Sequence, residues 1–129
     1  MGSSSGGGYA ASPSSAKMLN GNIERLAKQF PLTAGGRFGR KGKNTQVVES
    51  TDPAATARRF WAALSKGGRS APLPNGRGQR VRFDDGSLVV IRTRTTTTGS
   101  PAIELSIASP HLGMPPYQKI HFVKKGSRT

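Results

Sequence analysis

The chain of 129 residues contains no cysteine, which excludes disulfide bonds, zinc sites with cysteine ligands and thiol nucleophiles. Acidic residues are few, six against twenty Lys and Arg, and neither they nor the two histidines are clustered. Sites for Mg²⁺ or Zn²⁺ need such clusters, so we expect no metal and no other cofactor. No apolar run approaches the length of a membrane-spanning helix, and the first residues lack the apolar region of a signal peptide, so no membrane segment is expected.

The excess of basic residues gives a formal net charge of +14, and the cations are spread along the chain instead of forming a separate tail. A basic folded body attracts polyanions, because neutralising phosphates releases condensed counterions. RNA or DNA is therefore the first partner that the composition indicates, an acidic protein the second and an anionic lipid surface the third.

The composition also divides the chain into two parts. Residues 1–16 are rich in Gly and Ser and uncharged, which is typical of a flexible linker or a remnant of cloning. Residues 17–129 carry the charged side chains and are interpreted as a single basic domain. Within it, a basic, glycine-rich loop is predicted at residues 35–43.

A first helix is predicted within residues 20–29. Ile23 and Leu26 are three residues apart and therefore lie on one apolar face of a helix. Asn20 or Asn22 is expected to cap it. The helix is expected to end before the proline that follows it.

A second helix has clearer local signals. Asp52 suits the N-cap, Pro53 suits the first helical position, and Gly67 suits the C-terminal end. Phe60 and Leu64 lie on one apolar stripe, which is enough to pack on a sheet.

The last third of the chain alternates apolar and polar residues, the pattern of half-buried strands. A short strand is also expected before the second helix, at residues 45–49. An Asp-Gly turn at Asp85 supports a hairpin. A four-strand antiparallel meander is predicted at residues 80–83, 88–94, 102–107 and 119–123. The sequence thus predicts an α+β fold in which two N-terminal helices pack on a four-stranded antiparallel sheet.

Alternation assigns the side chains of the meander to two faces. Successive strand residues point to opposite sides, so Val89, Ile103 and Phe122 share a core face with the other apolar residues. The opposite side, which we call the polar face, collects one carboxylate, one imidazole, one hydroxyl and up to five cations: Arg80, Arg82, Arg92, Arg94, Glu104, Ser106, Lys119 and His121. This composition is unusual for a merely solvated face, and it favours acid–base chemistry on a phosphodiester.

Four stretches within residues 35–123 resemble a known family: GGRFGRKGKNTQVVES, LPNGRGQRVRFDDGSLVVIR, GSPAIELSI and YQKIHFV. They are similar to the C-terminal toxin domains of bacterial polymorphic toxins, and in particular to polymorphic toxin type 17. That family is a predicted ribonuclease with a barnase–EndoU–colicin–RelE type of fold. The resemblance therefore implies a barnase-like or RelE-like ribonuclease, with active-site candidates at Arg92, Glu104, Lys119 and His121.

The resemblance also implies a biological setting. Such domains end Rhs-repeat, contact-dependent-inhibition and type VI-delivered proteins. An antibacterial toxin is therefore expected, which leaves its producer as the C-terminus of a larger protein and acts in the cytoplasm of the target cell. The producer needs a cognate immunity protein, and complementarity to a charge of +14 predicts an acidic one. Apart from this inhibitor we expect a monomer.

RNA cleavage without a metal needs a base for the 2′-hydroxyl proton, an acid for the departing 5′-oxygen and cations on the phosphate oxygens. Glu104 is a candidate base and His121 a candidate acid, or the two roles invert, with Arg92 and Lys119 on the phosphate. The expected substrate is cellular RNA, with tRNA among the candidate targets, and the product is a 2′,3′-cyclic phosphate. Further RNA-binding residues are predicted at Arg37, Arg40, Lys41, Arg80, Arg82 and Arg94.

Simpler interpretations stay open at this point. His121 can be an edge histidine without a task, and Glu104 can form a cross-strand ion pair with Arg92 or Lys119 that only stabilises the sheet. His111 lies in a Pro/Gly-rich stretch and is expected to take no part. For the function, the alternatives are a non-catalytic basic nucleic-acid-binding domain and, third, an ADP-ribosyltransferase toxin, which would need a pocket for a nicotinamide dinucleotide.

Overall fold

A computed structural model of the protein describes residues 11–33, 35–42, 45–93, 100–108, 110 and 113–126, with side chains described from Leu19 onward. Arg94 and His111, which the sequence singles out, lie outside these residues. The elements follow in the order α1 (Ala11–Gln29), β1 (Arg40–Lys41), β2 (Gln46–Ser50), α2 (Pro53–Leu64), β3 (Arg69–Pro72), β4 (Gly78–Arg82), β5 (Leu88–Arg92), β6 (Ala102–Ser106) and β7 (Tyr117–Lys124). A short 3₁₀ turn at Pro74–Gly76 connects β3 to β4.

The seven strands of the described residues form one mixed sheet with the order β1-β2-β7-β6-β5-β4-β3. Each neighbouring pair is antiparallel except β2 and β7, which run parallel. The prediction of a four-stranded antiparallel sheet preceded by two helices is therefore wrong. Among the described elements, α1 precedes the strands and α2 lies between β2 and β3.

The difference arises at the two edges of the sheet and at one long-range pairing. The four strands predicted for the meander are present as β4 to β7, each antiparallel to the next, and the predicted strand at residues 45–49 corresponds to β2. The edge strands β1 and β3 are short, largely exposed and without clear alternation, so no pattern marks them. The parallel pairing of β2 with β7 joins distant parts of the chain through a crossover that contains α2, and no local signal reports such a contact.

α2 forms where its local signals predict it. Asp52 is the N-cap, its side chain accepts a backbone hydrogen bond from the first turn, and Pro53 begins the helix. Phe60 of α2 packs on Phe122 of β7, with ring centroids 5.3 Å apart. Because Phe122 alternates with His121 along β7, α2 covers the face of the sheet opposite to the polar face.

α1 begins at Ala11, within the segment expected to be a linker, instead of at residue 20. The expected caps are wrong, because Asn20 and Asn22 both lie inside the helix. Asn22 is fully buried, and its Nδ2 donates to the backbone oxygens of Leu64 and Lys66, at 2.9 Å each. It therefore ties α1 to the C-terminal end of α2, where helix carbonyls lack helical partners. Neither helix of the described residues has the length and apolar character needed to cross a membrane.

Candidate active site on the polar face of the sheet

The strand register brings four of the predicted site residues together. Ala102 of β6 pairs with His121 on one side and with Arg92 on the other, and Glu104 pairs directly with Lys119. Paired residues of neighbouring strands point to the same face, so Arg92, Glu104, Lys119 and His121 share the polar face. On β7, Lys119 is the direct partner of Glu104 and His121 is its diagonal neighbour. On β5, Arg92 is its diagonal neighbour.

The carboxylate of Glu104 is held by two donors. Nε of Arg92 lies 2.9 Å from Oε2, and the hydroxyl of Tyr117 donates to Oε1 at 3.0 Å. The side chain of Glu104 is 21% exposed and that of Arg92 is 41% exposed, so the pair lies at the border of solvent. Each carboxylate oxygen has two lone pairs, and each keeps the capacity for another hydrogen bond.

These contacts fix the protonation state of Glu104. Partial burial by itself would raise the pKa of this carboxyl. The hydrogen bonds from Arg92 and Tyr117, and the charges of Arg92 and Lys119, outweigh burial and hold the pKa below its ordinary value of 4.5. Burial, together with the bond to Glu104 and its charge, raises the pKa of Tyr117 above 10.0. At neutral pH the carboxylate is therefore ionised and the phenol remains its donor.

His121 occupies a more enclosed position than Glu104. It is 8% exposed and lies between two buried residues of the neighbouring strands, Val47 of β2 and Ala102 of β6. Burial, and then the charge of Lys119 two residues earlier on the same face, hold the pKa of His121 below its ordinary value of 6.5. The imidazole is therefore neutral at pH 7, which is the form of histidine that can accept a proton.

Other cations of the polar face lie on the side of the sheet toward β3. Arg80 and Arg82 of β4 are exposed, and their register partners on β5 place them on the same face as Glu104. Arg69 pairs with Arg82 and forms an ion pair with Asp84, at 3.2 Å. This side of the face is rich in guanidinium groups that solvent reaches.

The segment predicted as a basic loop contains β1, the edge strand that pairs with β2. Phe38 is fully buried, and its backbone N donates to Oε1 of the buried Gln118 at 3.0 Å. Arg40 pairs with Val47 and so lies on the side of His121, where its guanidinium bonds Oε2 of Glu49 at 2.9 Å.

Two of the remaining predicted RNA-binding residues, Lys41 and Arg37, are not brought to the site. Lys41 alternates with Arg40 and points to the opposite side, while Arg37 is exposed ahead of the strand. Arg94 lies outside the described residues.

Tyr117 is a site residue that the sequence pattern did not single out. The last strand is predicted to begin at residue 119, whereas β7 begins at Tyr117. A signal is present in the sequence, because Tyr117, Lys119 and His121 have the same parity along the strand and therefore share a face. Within the described part of the chain, no group of three or more His, Asp or Glu side chains lies close enough together to hold a metal ion.

A comparison of the chain with protein-family models, with curated proteins and with solved structures found no match. The resemblance to polymorphic toxin domains therefore stays a prediction.

Proposed function

We propose that the protein is a metal-independent endoribonuclease whose active site is the polar face around Glu104 and His121. The observation that carries the proposal is the environment of Glu104, whose carboxylate is bound by Arg92 and Tyr117, opposite Lys119 and diagonal to the buried imidazole. A purely stabilising ion pair needs a single cation. In a chain with a charge of +14, this combination of acceptor, donors and cations is suited to a phosphodiester polyanion.

The lowered pKa of His121 and that of Glu104 disfavour both groups as proton donors at neutral pH, so we assign the base to His121 and the acid to Lys119. The neutral His121 takes the proton of the 2′-hydroxyl as general base. The ionised Glu104 positions Arg92, and the guanidinium stabilises charge on the phosphate oxygens. The ammonium of Lys119 gives a proton to the departing 5′-oxygen. The 2′-oxygen bonds to phosphorus while the bond to the 5′-oxygen breaks, which leaves a 2′,3′-cyclic phosphate and a 5′-hydroxyl.

An alternative distribution, with Glu104 as base and His121 as acid, has the opposite dependence on pH through the pKa of His121. If His121 is the base, kcat/KM rises with pH through the pKa of His121, below 6.5. If it is the acid, kcat/KM falls through the same range. Initial rates on a short RNA from about pH 5 to pH 8 decide between the two assignments.

Nucleic-acid binding without cleavage is the second candidate function. The exposed Arg80 and Arg82 favour it, because phosphate contacts alone explain a guanidinium-rich face, and the bond between Arg92 and Glu104 is then structural. Sequencing of RNA ends after brief expression in cells separates the candidates. New 5′-hydroxyl ends with the wild type, but not with His121→Ala, support the ribonuclease. An unchanged RNA-end profile with the wild type supports the binder.

A protein partner follows from the proposed cleavage of cellular RNA, which would harm the cell that makes the protein. We infer a small acidic immunity protein that covers the polar face, since carboxylates complement the +14 chain and give fast, salt-sensitive association. The domain then travels as the C-terminus of a larger protein and acts on RNA in the cytoplasm of a target cell. Co-expression with the product of the neighbouring downstream gene should restore growth. A harmless domain, or a neighbour that neither binds nor protects, contradicts this partner.

A further inference from the structure

Tyr117 is the exposed large apolar side chain among the described residues, with 51% of its surface accessible. It lies on the polar face, opposite Ser106 on β6 and two residues before Lys119 on β7. Tyrosine is enriched at interfaces, because its ring supplies apolar contact area while its hydroxyl forms hydrogen bonds. Its position beside the proposed active site favours recognition.

The ring of Tyr117 is fixed in place before any ligand binds. Its hydroxyl donates to Oε1 of Glu104 at 3.0 Å, which anchors the far end of the side chain. Its backbone starts a paired strand, and the residue before it, Pro116, accepts a hydrogen bond from Ile107 at 2.8 Å. Binding to an anchored ring loses little side-chain entropy.

The surroundings of the ring indicate the chemistry of a ligand. The hydroxyl of Tyr117 binds Glu104, and Glu104 also has Arg92 and Lys119 as neighbours, so two cations lie near this end of the ring. The exposed Arg82 is on the same face, in the row of paired residues that runs from Tyr117 through Ser106 and Leu88. A flat apolar surface bordered by cations matches a nucleotide, which has a flat base and an anionic phosphate.

We propose that the ring of Tyr117 stacks on an unpaired base, so that the polar face selects single-stranded RNA over duplex RNA. In a duplex the bases are stacked on each other and present no free face, whereas single-stranded segments offer theirs to aromatic side chains. The inference rests on the RNA substrate proposed above but not on its cleavage.

The test measures binding of the whole chain to a 2′-O-methyl oligonucleotide, as a single strand and as a duplex, by fluorescence anisotropy. This probe lacks the attacking hydroxyl, so binding is measured whether or not the protein cleaves RNA. Tyr117→Ala should weaken single-strand binding by about five- to a hundredfold and leave duplex binding unchanged. Tyr117→Phe keeps the ring but loses its anchoring bond to Glu104, so it should weaken single-strand binding by less than Tyr117→Ala does.

Arg82→Ala is the matched control, since it removes an exposed charge from the same face and should weaken single-strand and duplex binding alike. Circular dichroism of each variant verifies the fold. Equal affinity of Tyr117→Ala and the wild type for the single strand overturns the inference, as does an equal loss for single strand and duplex. A wild type that binds single strands through Tyr117 but cuts no RNA leaves the stacking role intact and removes only the ribonuclease proposal.

Discussion

Nε of Arg92 donates to Oε2 of Glu104 across β5 and β6, over a distance of 2.9 Å. The two residues are diagonal neighbours, since Arg92 pairs with Ala102 and not with Glu104 itself. Tyr117 binds the other carboxylate oxygen, so the ion pair is held from both sides. This relationship fixes a guanidinium at the centre of the polar face.

The Arg92–Glu104 pair should stabilise the fold more than a comparable pair at the edge of the sheet. Arg40 and Glu49 form an ion pair of the same length, 2.9 Å, but Glu49 is 35% exposed whereas Glu104 is 21% exposed. Solvent screens both pairs, so a double-mutant cycle with Arg92→Ala and Glu104→Gln should give about 0.5 kcal/mol of coupling in urea unfolding. The cycle at Arg40 and Glu49 should give less, and an equal or larger coupling there contradicts the account.

Acidification should destabilise the protein in two steps. The pKa of His121 is lower in the folded state than the ordinary 6.5, so the unfolded chain takes up this proton first and stability falls as pH drops below about 6.5. The pKa of Glu104 is likewise below 4.5, so a second loss follows below about 4.5. In unfolding experiments across this range, His121→Gln should remove the first step and Glu104→Gln the second. If the stability of His121→Gln declines as steeply below pH 6.5 as that of the wild type, the interpretation of His121 as a buried, neutral histidine is wrong.

RNA affinity should fall steeply with salt, and the exposed arginines of β4 should carry part of this dependence. Each phosphate contact contributes about 0.7 to the slope of log affinity against log salt for single strands. Arg80→Ala and Arg82→Ala should each reduce the slope by about that amount. In single-turnover assays the rate constant at saturation should not change, because strand β5 separates both residues from Glu104. Affinity that does not respond to salt is incompatible with an electrostatic interface.

Asn22→Ala should destabilise the protein without altering the chemistry of the site. The substitution leaves the backbone oxygens of Leu64 and Lys66 without their side-chain donor at the end of α2, which costs about 1–3 kcal/mol for a buried group. Thermal unfolding measures the loss, and Lys28→Ala, an exposed position on the same helix, serves as control. Equal melting temperatures for the two variants would show that the link between the helices is unimportant.

Local patterns predicted single elements of this fold but not their arrangement, and the failures have physical causes. The cap at Asp52 and the alternation in the meander are short-range signals, so α2 and strands β4 to β7 could be found. Two features depend on tertiary packing between distant residues, which a local sequence pattern does not indicate. They are the parallel pairing of β2 with β7 and the burial of Asn22 against the end of α2.

The candidate site was predictable to a similar extent. Alternation fixes which residues share a face, so the amino-acid sequence alone is enough to group Arg92, Glu104, Lys119 and His121. The strand register then decides which donor meets which carboxylate oxygen, and a strand predicted to begin at residue 119 left out Tyr117.

Cleavage of a defined RNA by the purified chain in excess EDTA tests the central claim most directly. The account predicts fragments that end in a 2′,3′-cyclic phosphate, a rate unaffected by the chelator, and a loss of about 10²–10⁴-fold in His121→Ala. His111→Ala, which changes the other of the two histidines, should cleave like the wild type. RNA that stays intact with the wild-type chain, or that His121→Ala cuts at the wild-type rate, contradicts an active site on the polar face.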